Sequence, residues 1–383
     1  MRGSSDPQEA GAGTLYCDPL TAYRSDLERV GDVVQFGATD DKWLRRAVRI
    51  ERLAACALRT RSEVRRVSSM SSLSQAGILG VAERIEAAGA LLLAFSLLDS
   101  ARRLWDIVAP AAACAALLRQ ARIGRTLGRW DVAERLYNAL VRRSAACGTP
   151  DLAGQAYLGL GSMYYHTGKL SASRLSFRRA RALADRSLTT TSASYHGEMA
   201  VALAQGDLNA ALVSGVEALE TRALRRPDEV GVLVNIAAIA IRSGDAADAI
   251  RLLARARTLT RHGRLRMHIL GKTALAAAAL GRVAAVDRAA SGIIREAARV
   301  NFPADELEAR SELAQAYLDV GETPKAFRIA RSVRARAVRL DLGVVVQRCD
   351  AILRLPHVAS PPLRLRTYSR RHLLSIGPLL EAR

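Results

Sequence analysis

The stretch AYLGLGSMYYHTGKLSASRLSFRRARAL, residues 156–183, holds two amphipathic segments separated by one glycine, Gly168. Tyr157, Leu160, Gly161 and Tyr164 recur at steps of three and four before it, and Ser173, Phe177 and Ala180 do so after it. That spacing predicts one buried face on each of two α-helices. Gly161 and Ala180 are small enough to let the helices cross closely, Gly168 suits a tight turn, and the bulky residues fill the gap to the next pair. The frame repeats along the chain: Gly128, Gly168, Gly206, Gly244, Gly281 and Gly321 fall at intervals of 40, 38, 38, 37 and 40 residues. Counting back 39 from Gly128 finds a seventh unit around Gly89. Such a period predicts stacked helical pairs, each leaning on its neighbours to bury its apolar face.

The units resemble the tetratricopeptide repeat family. Its pattern has a large aromatic, Leu-Gly and Tyr on a first helix, Gly in the turn, and small, aromatic and small residues on a second helix. Tyr157, Leu160, Gly161, Tyr164, Gly168, Ser173, Phe177 and Ala180 occupy those places. Other units keep the frame with Gly128, Ala133 and Tyr137; Gly206, Ala211 and Ala218; Gly244, Ala249 and Ala256; Gly281 and Val286; and Tyr317, Gly321 and Ala326. The resemblance implies an all-α fold, a right-handed superhelical solenoid of antiparallel helix pairs, over residues 75–340. The period exceeds the family's 34 residues, which implies helices longer by about a turn or longer connections. The family's proline at the end of each second helix is absent.

Around this array, residues 1–20 are rich in Gly, Ser, Pro and acid and are expected to be disordered. Residues 21–74 form a helical region, clearest in DDKWLRRAVRIERLAACALRTR (40–61), followed by a serine-rich joint, VSSMSSLSQ. After the array, residues 341–383 supply a capping helix from LGVVVQRCDAILRL and a basic tail.

The formal charge of +20 is almost wholly arginine, since only Lys42, Lys169, Lys272 and Lys325 are lysines. Arginine and alanine rising together match GC-rich codon usage. Residues 322–383 nevertheless carry 13 basic and 4 acidic side chains. Five well-separated cysteines without a CxxC pair argue against a disulfide frame or zinc site. The opening MRGSSDPQEAGAG has no apolar run of a signal peptide, and no greasy stretch reaches about 20 residues. A cytoplasmic protein without membrane insertion is expected.

No catalytic motif stands out, and the six histidines have no partner at metal-ligand spacing, so neither an enzyme nor a cofactor or metal is expected. In the family it resembles, first helices line the concave face. That register selects Arg122, Arg125, Tyr165, His166, His196 and Arg242 as a partner-binding groove, suited to a carboxylate and a planar group. Ala200, Leu203, Val234, Ala238, Ile241, Leu275 and Ala278 would make the rest of the groove apolar, fit for an amphipathic helix. A basic patch of Arg328, Arg331 and Arg334, extended by Arg364, Arg366, Arg370 and Arg371, offers a second surface. The expected function is a non-enzymatic scaffold binding a peptide or helical segment of a protein partner. A bacterial regulatory protein coupling ligand or peptide binding to an N-terminal effector region is the next expectation, and nucleic-acid backbone binding by the basic end the third. The oligomeric state is not legible.

Overall fold

In the computed structural model, residues 75–87, 91–184, 187–299 and 302–354 are described. They are all-helical: α1 (Gln75–Ala87), α2 (Leu91–Val108), α3 (Pro110–Thr126), α4 (Trp130–Ala146), α5 (Pro150–His166), α6 (Leu170–Leu183), α7 (Leu188–Ala204), α8 (Leu208–Glu220), α9 (Arg226–Arg242), α10 (Ala246–Thr258), α11 (Gly263–Ala279), α12 (Val283–Arg299), α13 (Pro303–Asp319), α14 (Thr323–Arg339) and α15 (Gly343–Arg354). There is no strand among the described residues. The helical region before Gln75, Gly89 itself and the tail arginines Arg364, Arg366, Arg370 and Arg371 lie outside them, while the helices on either side of Gly89 are α1 and α2. None of these helices is long and apolar enough to cross a membrane.

The chain divides into two units, Met1–Ile123 and Gly124–Arg383. In the first, α1 packs on α2. Arg119 on α3 donates to Glu83 of α1 at 3.0 Å, and Gln120 donates to Asp99 of α2 at 3.2 Å.

In the second unit consecutive helices pack in turn, and the alternate helices α5, α7, α9, α11, α13 and α15 also pack on one another. The glycine ladder sets the turns. Gly128, Gly168, Gly206, Gly244, Gly281 and Gly321 have φ between +68° and +89°, a region costly for any residue with a Cβ. After each, the next amide donates five residues back, as Lys169 does to Tyr164 (2.8 Å) and Glu322 to Tyr317 (2.8 Å). The turn from α14 to α15 keeps this bond, Leu342 to Ala337 at 2.9 Å, with Asp341 taking the positive φ in place of glycine. The long period is accounted for by the helices, since α5, α7, α9, α11 and α13 each run 17 residues.

Close crossings depend on the other glycines. The Phe177 ring of α6 lies so near α5 and α7 that a Cβ at Gly161 or Gly197 would fall 2.7 or 2.3 Å from it. The core of the helices that follow, from α7 to α15, is largely alanine, leucine, valine and isoleucine.

Two parts of the second unit far apart in sequence meet. The Trp130 indole Nε1 donates to the Leu340 carbonyl at 2.5 Å. The backbone of Gly343, at the start of α15, lies against the turn after α5, where a Cβ would fall 2.4 Å from the Thr167 carbonyl oxygen.

Candidate functional site

Two charged stripes face each other across the α11–α13 contact. On α11, Arg264, His268 and Lys272 stand at steps of four and therefore share one face; on α13, Asp305, Glu308 and Glu312 do so at steps of three and four. Arg264 Nε donates to Asp305 Oδ1 at 2.8 Å, and His268 Nε2 lies 2.7 Å from the same oxygen. Lys272 Nζ donates to Glu312 Oε1 at 2.5 Å. From α15, Arg348 donates to the Ser311 hydroxyl at 2.7 Å and reaches Glu312 Oε1 at 3.4 Å.

Gly271 makes this contact as close as it is, because a Cβ there would fall 2.4 Å from Glu312 Oε2. That oxygen is buried and has no hydrogen-bond partner among the described residues. The three acids are deeply buried, at 5% exposure for Asp305, 8% for Glu308 and 1% for Glu312. Burial alone would hold such groups neutral, so paired cations are required to keep them charged.

The cations prevail. Burial works against the Asp305 carboxylate, yet Arg264 and the hydrogen bond from His268 hold it far below the usual carboxylate range. Burial likewise opposes protonation of His268, but the bond and charge of Asp305 raise it above an ordinary histidine. Glu308 is held low against burial by His268, Arg348, His166 and Lys272, although its side chain makes no hydrogen bond among the described residues.

Four of the groove residues expected from the sequence, Tyr165, His166, His196 and Arg242, interact electrostatically with members of this cluster. Tyr165 and His166 end α5, and their rings meet edge to face at 5.4 Å. His166 also stacks on Trp130 at 6.0 Å. Burial, then the charge of Glu308, pushes the Tyr165 phenol up, so it stays a neutral donor. Burial pulls His166 down to about 4, leaving a neutral imidazole at neutral pH. His196 on α7 is lowered by burial while Asp228 and His268 act on it electrostatically, and its ring lies on Gly231, where a Cβ would fall 2.4 Å away. Arg242 ends α9, donates to the Leu203 carbonyl at 2.7 Å, and feels the charges of Arg348, Tyr165 and Glu312. Arg125 donates to Ser162 at 3.2 Å and acts electrostatically on His166. Arg122 is exposed and belongs to the first unit.

The expected apolar stretch of groove needs correcting. Leu203, Val234, Ala238 and Ala278 are buried, and Ala200, Ile241 and Leu275 are half-buried, because neighbouring first helices pack directly together there. Of the basic patch, Arg328, Arg331 and Arg334 are exposed on α14, with Arg334 paired to Asp350 at 2.5 Å.

The sequence reading missed Arg264, His268, Lys272, Asp305, Glu308, Glu312 and Arg348. A signal for them existed. Their contacts span 41 residues (Arg264 to Asp305), 40 (Lys272 to Glu312) and 37 (Arg348 to Ser311), close to the glycine interval of 37 to 40.

No protein-family model matches this chain, and no curated protein matches it. Among the solved structures it is similar to is the crystal structure of BtubC (BKLC) from P. vanneervenii, at 19% identity over 55% of this chain and 90% of that one, with a TM-score of 0.43.

Proposed function

We propose that the protein is a non-enzymatic, cytoplasmic interaction protein of the tetratricopeptide type, wound as a right-handed superhelix, that binds a short polar peptide segment of a protein partner at the inward faces of its first helices. The convergence of Tyr165, His166, His196 and Arg242 with the α11–α13–α15 ion cluster carries this reading. First helices of five successive pairs contribute to one surface, as expected where recognition is built from repeats and not from a single loop. The surface offers planar rings and charge, so the segment it suits is polar, in place of the amphipathic helix expected from the sequence. A nucleic-acid reading finds less support, because Arg334 of the basic patch and Arg336, also on α14, are already paired with Asp350 and Glu306.

Peptide-display selection on the intact protein tests this. Selected peptides should bind the wild type, keep binding in high salt, and lose binding when Tyr165 and His196 are replaced by alanine. Retention by that double variant, or a steep loss with salt for the wild type, would reject the reading.

A further inference from the structure

A second face of α13 borders a cleft. On that helix Arg310, Leu313 and Tyr317 follow at steps of three and four, so they share the side opposite Asp305, Glu308 and Glu312. α12 and α14 both pack on α13, and the three helices enclose a cavity of about 380 Å³. Sites for small ligands run from about 300 to 1,000 Å³ and are mostly apolar with a few placed polar groups. Ile293 of α12, Leu313 of α13 and Val333 of α14 form buried apolar walls, with Ile329 half-buried beside them. Ile294 also lines the cleft and is left 56% exposed, a large apolar side chain without cover. Arg310, Lys325 and Arg328 line the same cleft, and no acid does among the described residues. Arg310 already meets Glu306 at 3.1 Å. Lys325 lies 3.4 Å from Glu322 and 4.0 Å from Asp287, with its ammonium 5.3 Å from the centre of the Tyr317 ring. Arg328 is exposed and has no carboxylate partner among the described residues.

We infer that this cleft binds a single-chain amphiphilic anion of the fatty-acid type, its aliphatic chain on Ile293, Ile294, Leu313 and Ile329 and its carboxylate on Arg328. The cleft is complementary to both halves of such a molecule. An aliphatic chain covers the exposed Ile294 and removes apolar wall from water. A carboxylate accepts two parallel bonds from one guanidinium, and Arg328 is the lining cation with that fork uncommitted. One uncommitted guanidinium matches one negative charge, and Arg310 and Lys325 add attraction without needing a second. A cation would meet three positive charges and no lining acid, and a neutral chain would leave the Arg328 fork unused. The inference goes beyond the proposed peptide surface, because the cleft and the ion cluster use opposite faces of α13 and either can fail alone.

Isothermal titration of the intact protein with hexanoate, octanoate, decanoate, octanol and octyltrimethylammonium is the test. The carboxylates should bind, tightening by about fourfold for each added methylene while the chain still meets apolar wall. Octanol should bind at least about tenfold more weakly than octanoate, the loss expected for one charge-assisted bond, and octyltrimethylammonium more weakly still. Arg328→Gln should bring octanoate down to the level of octanol. Ile294→Ser should weaken octanoate and octanol alike, while Arg331→Gln, also exposed on α14, leaves both unchanged. Octanol or octyltrimethylammonium binding as tightly as octanoate, hexanoate binding as tightly as decanoate, or no binding by any carboxylate would overturn the inference without reliance on a variant. Sedimentation of the ligand-free protein supplies a further check: a dimer that Ile294→Ser dissociates would mean that a second copy covers the cleft, which also overturns it.

Discussion

Replacing Asp305 by asparagine probes the ion cluster most directly, because one buried oxygen serves both Arg264 at 2.8 Å and His268 at 2.7 Å. Asparagine preserves the shape and one neutral acceptor but removes the charge. Each charge-assisted bond contributes about 1.5–3 kcal/mol, and stripping one partner from a buried pair typically costs about 3–5. With one acceptor kept, a loss of about 3 kcal/mol is expected at mildly acid pH. The pH dependence gives a sharper test. Asp305 is held low, so its contribution is full above about pH 4 and fades below it by about 1.4 kcal/mol per pH unit. His268 is raised, so its contribution is full below about pH 6.5 and is lost as pH rises through its elevated value. The stability gap between wild type and D305N should therefore be widest at about pH 4.5–6.5 and narrow on both sides. Urea unfolding followed by far-UV circular dichroism measures it. A gap below about 1 kcal/mol in the middle of that window, or one that stays constant down to about pH 3, would refute the reasoning.

Three further outcomes are expected. Gly197→Ala places a methyl group 2.3 Å from the Phe177 ring and should cost about 2 kcal/mol in thermal unfolding, with partial recovery when Phe177 is shortened to leucine. In a proton NMR titration, His166 should change its ring shifts near pH 4 whereas His268 does so above the ordinary histidine range; reversed order would contradict the electrostatics. Gly343→Ala forces a methyl to within 2.4 Å of the Thr167 carbonyl, so amide exchange should accelerate at both α15 and the turn after α5, and acceleration confined to α15 would show that the contact is incidental.

The helical pairs were legible because a positive φ leaves few substitutes for glycine, and six such turns recur at nearly one interval. Asp341 shows the limit of that signal: it fills the same turn without announcing itself. Tyr165, His166, His196 and Arg242 could be assigned to first helices by register alone. Their counterparts could not be singled out that way, because α13 buries residues on most of its circumference, from Leu307 and Ala309 to Glu308 and Glu312, and so has no periodic polar face to read. Opposite charges one repeat apart held the missing information. It becomes visible only once α11 and α13 are known to lie side by side.

The meeting of Trp130 with Leu340 joins residues 210 positions apart. In a linear array of repeats, each unit answers only to its neighbours, folding can begin anywhere, and the terminal units fray first. Here α15 and the turn before it are also neighbours of α4 and α5, so neither α4 nor α15 stands as an unsupported end. Such distant closure slows the search for the native state, because loop entropy must be overcome before the contact forms. In exchange, damage at α15 is felt at α4 and α5, and the unit opens as one cooperative body instead of unzipping repeat by repeat.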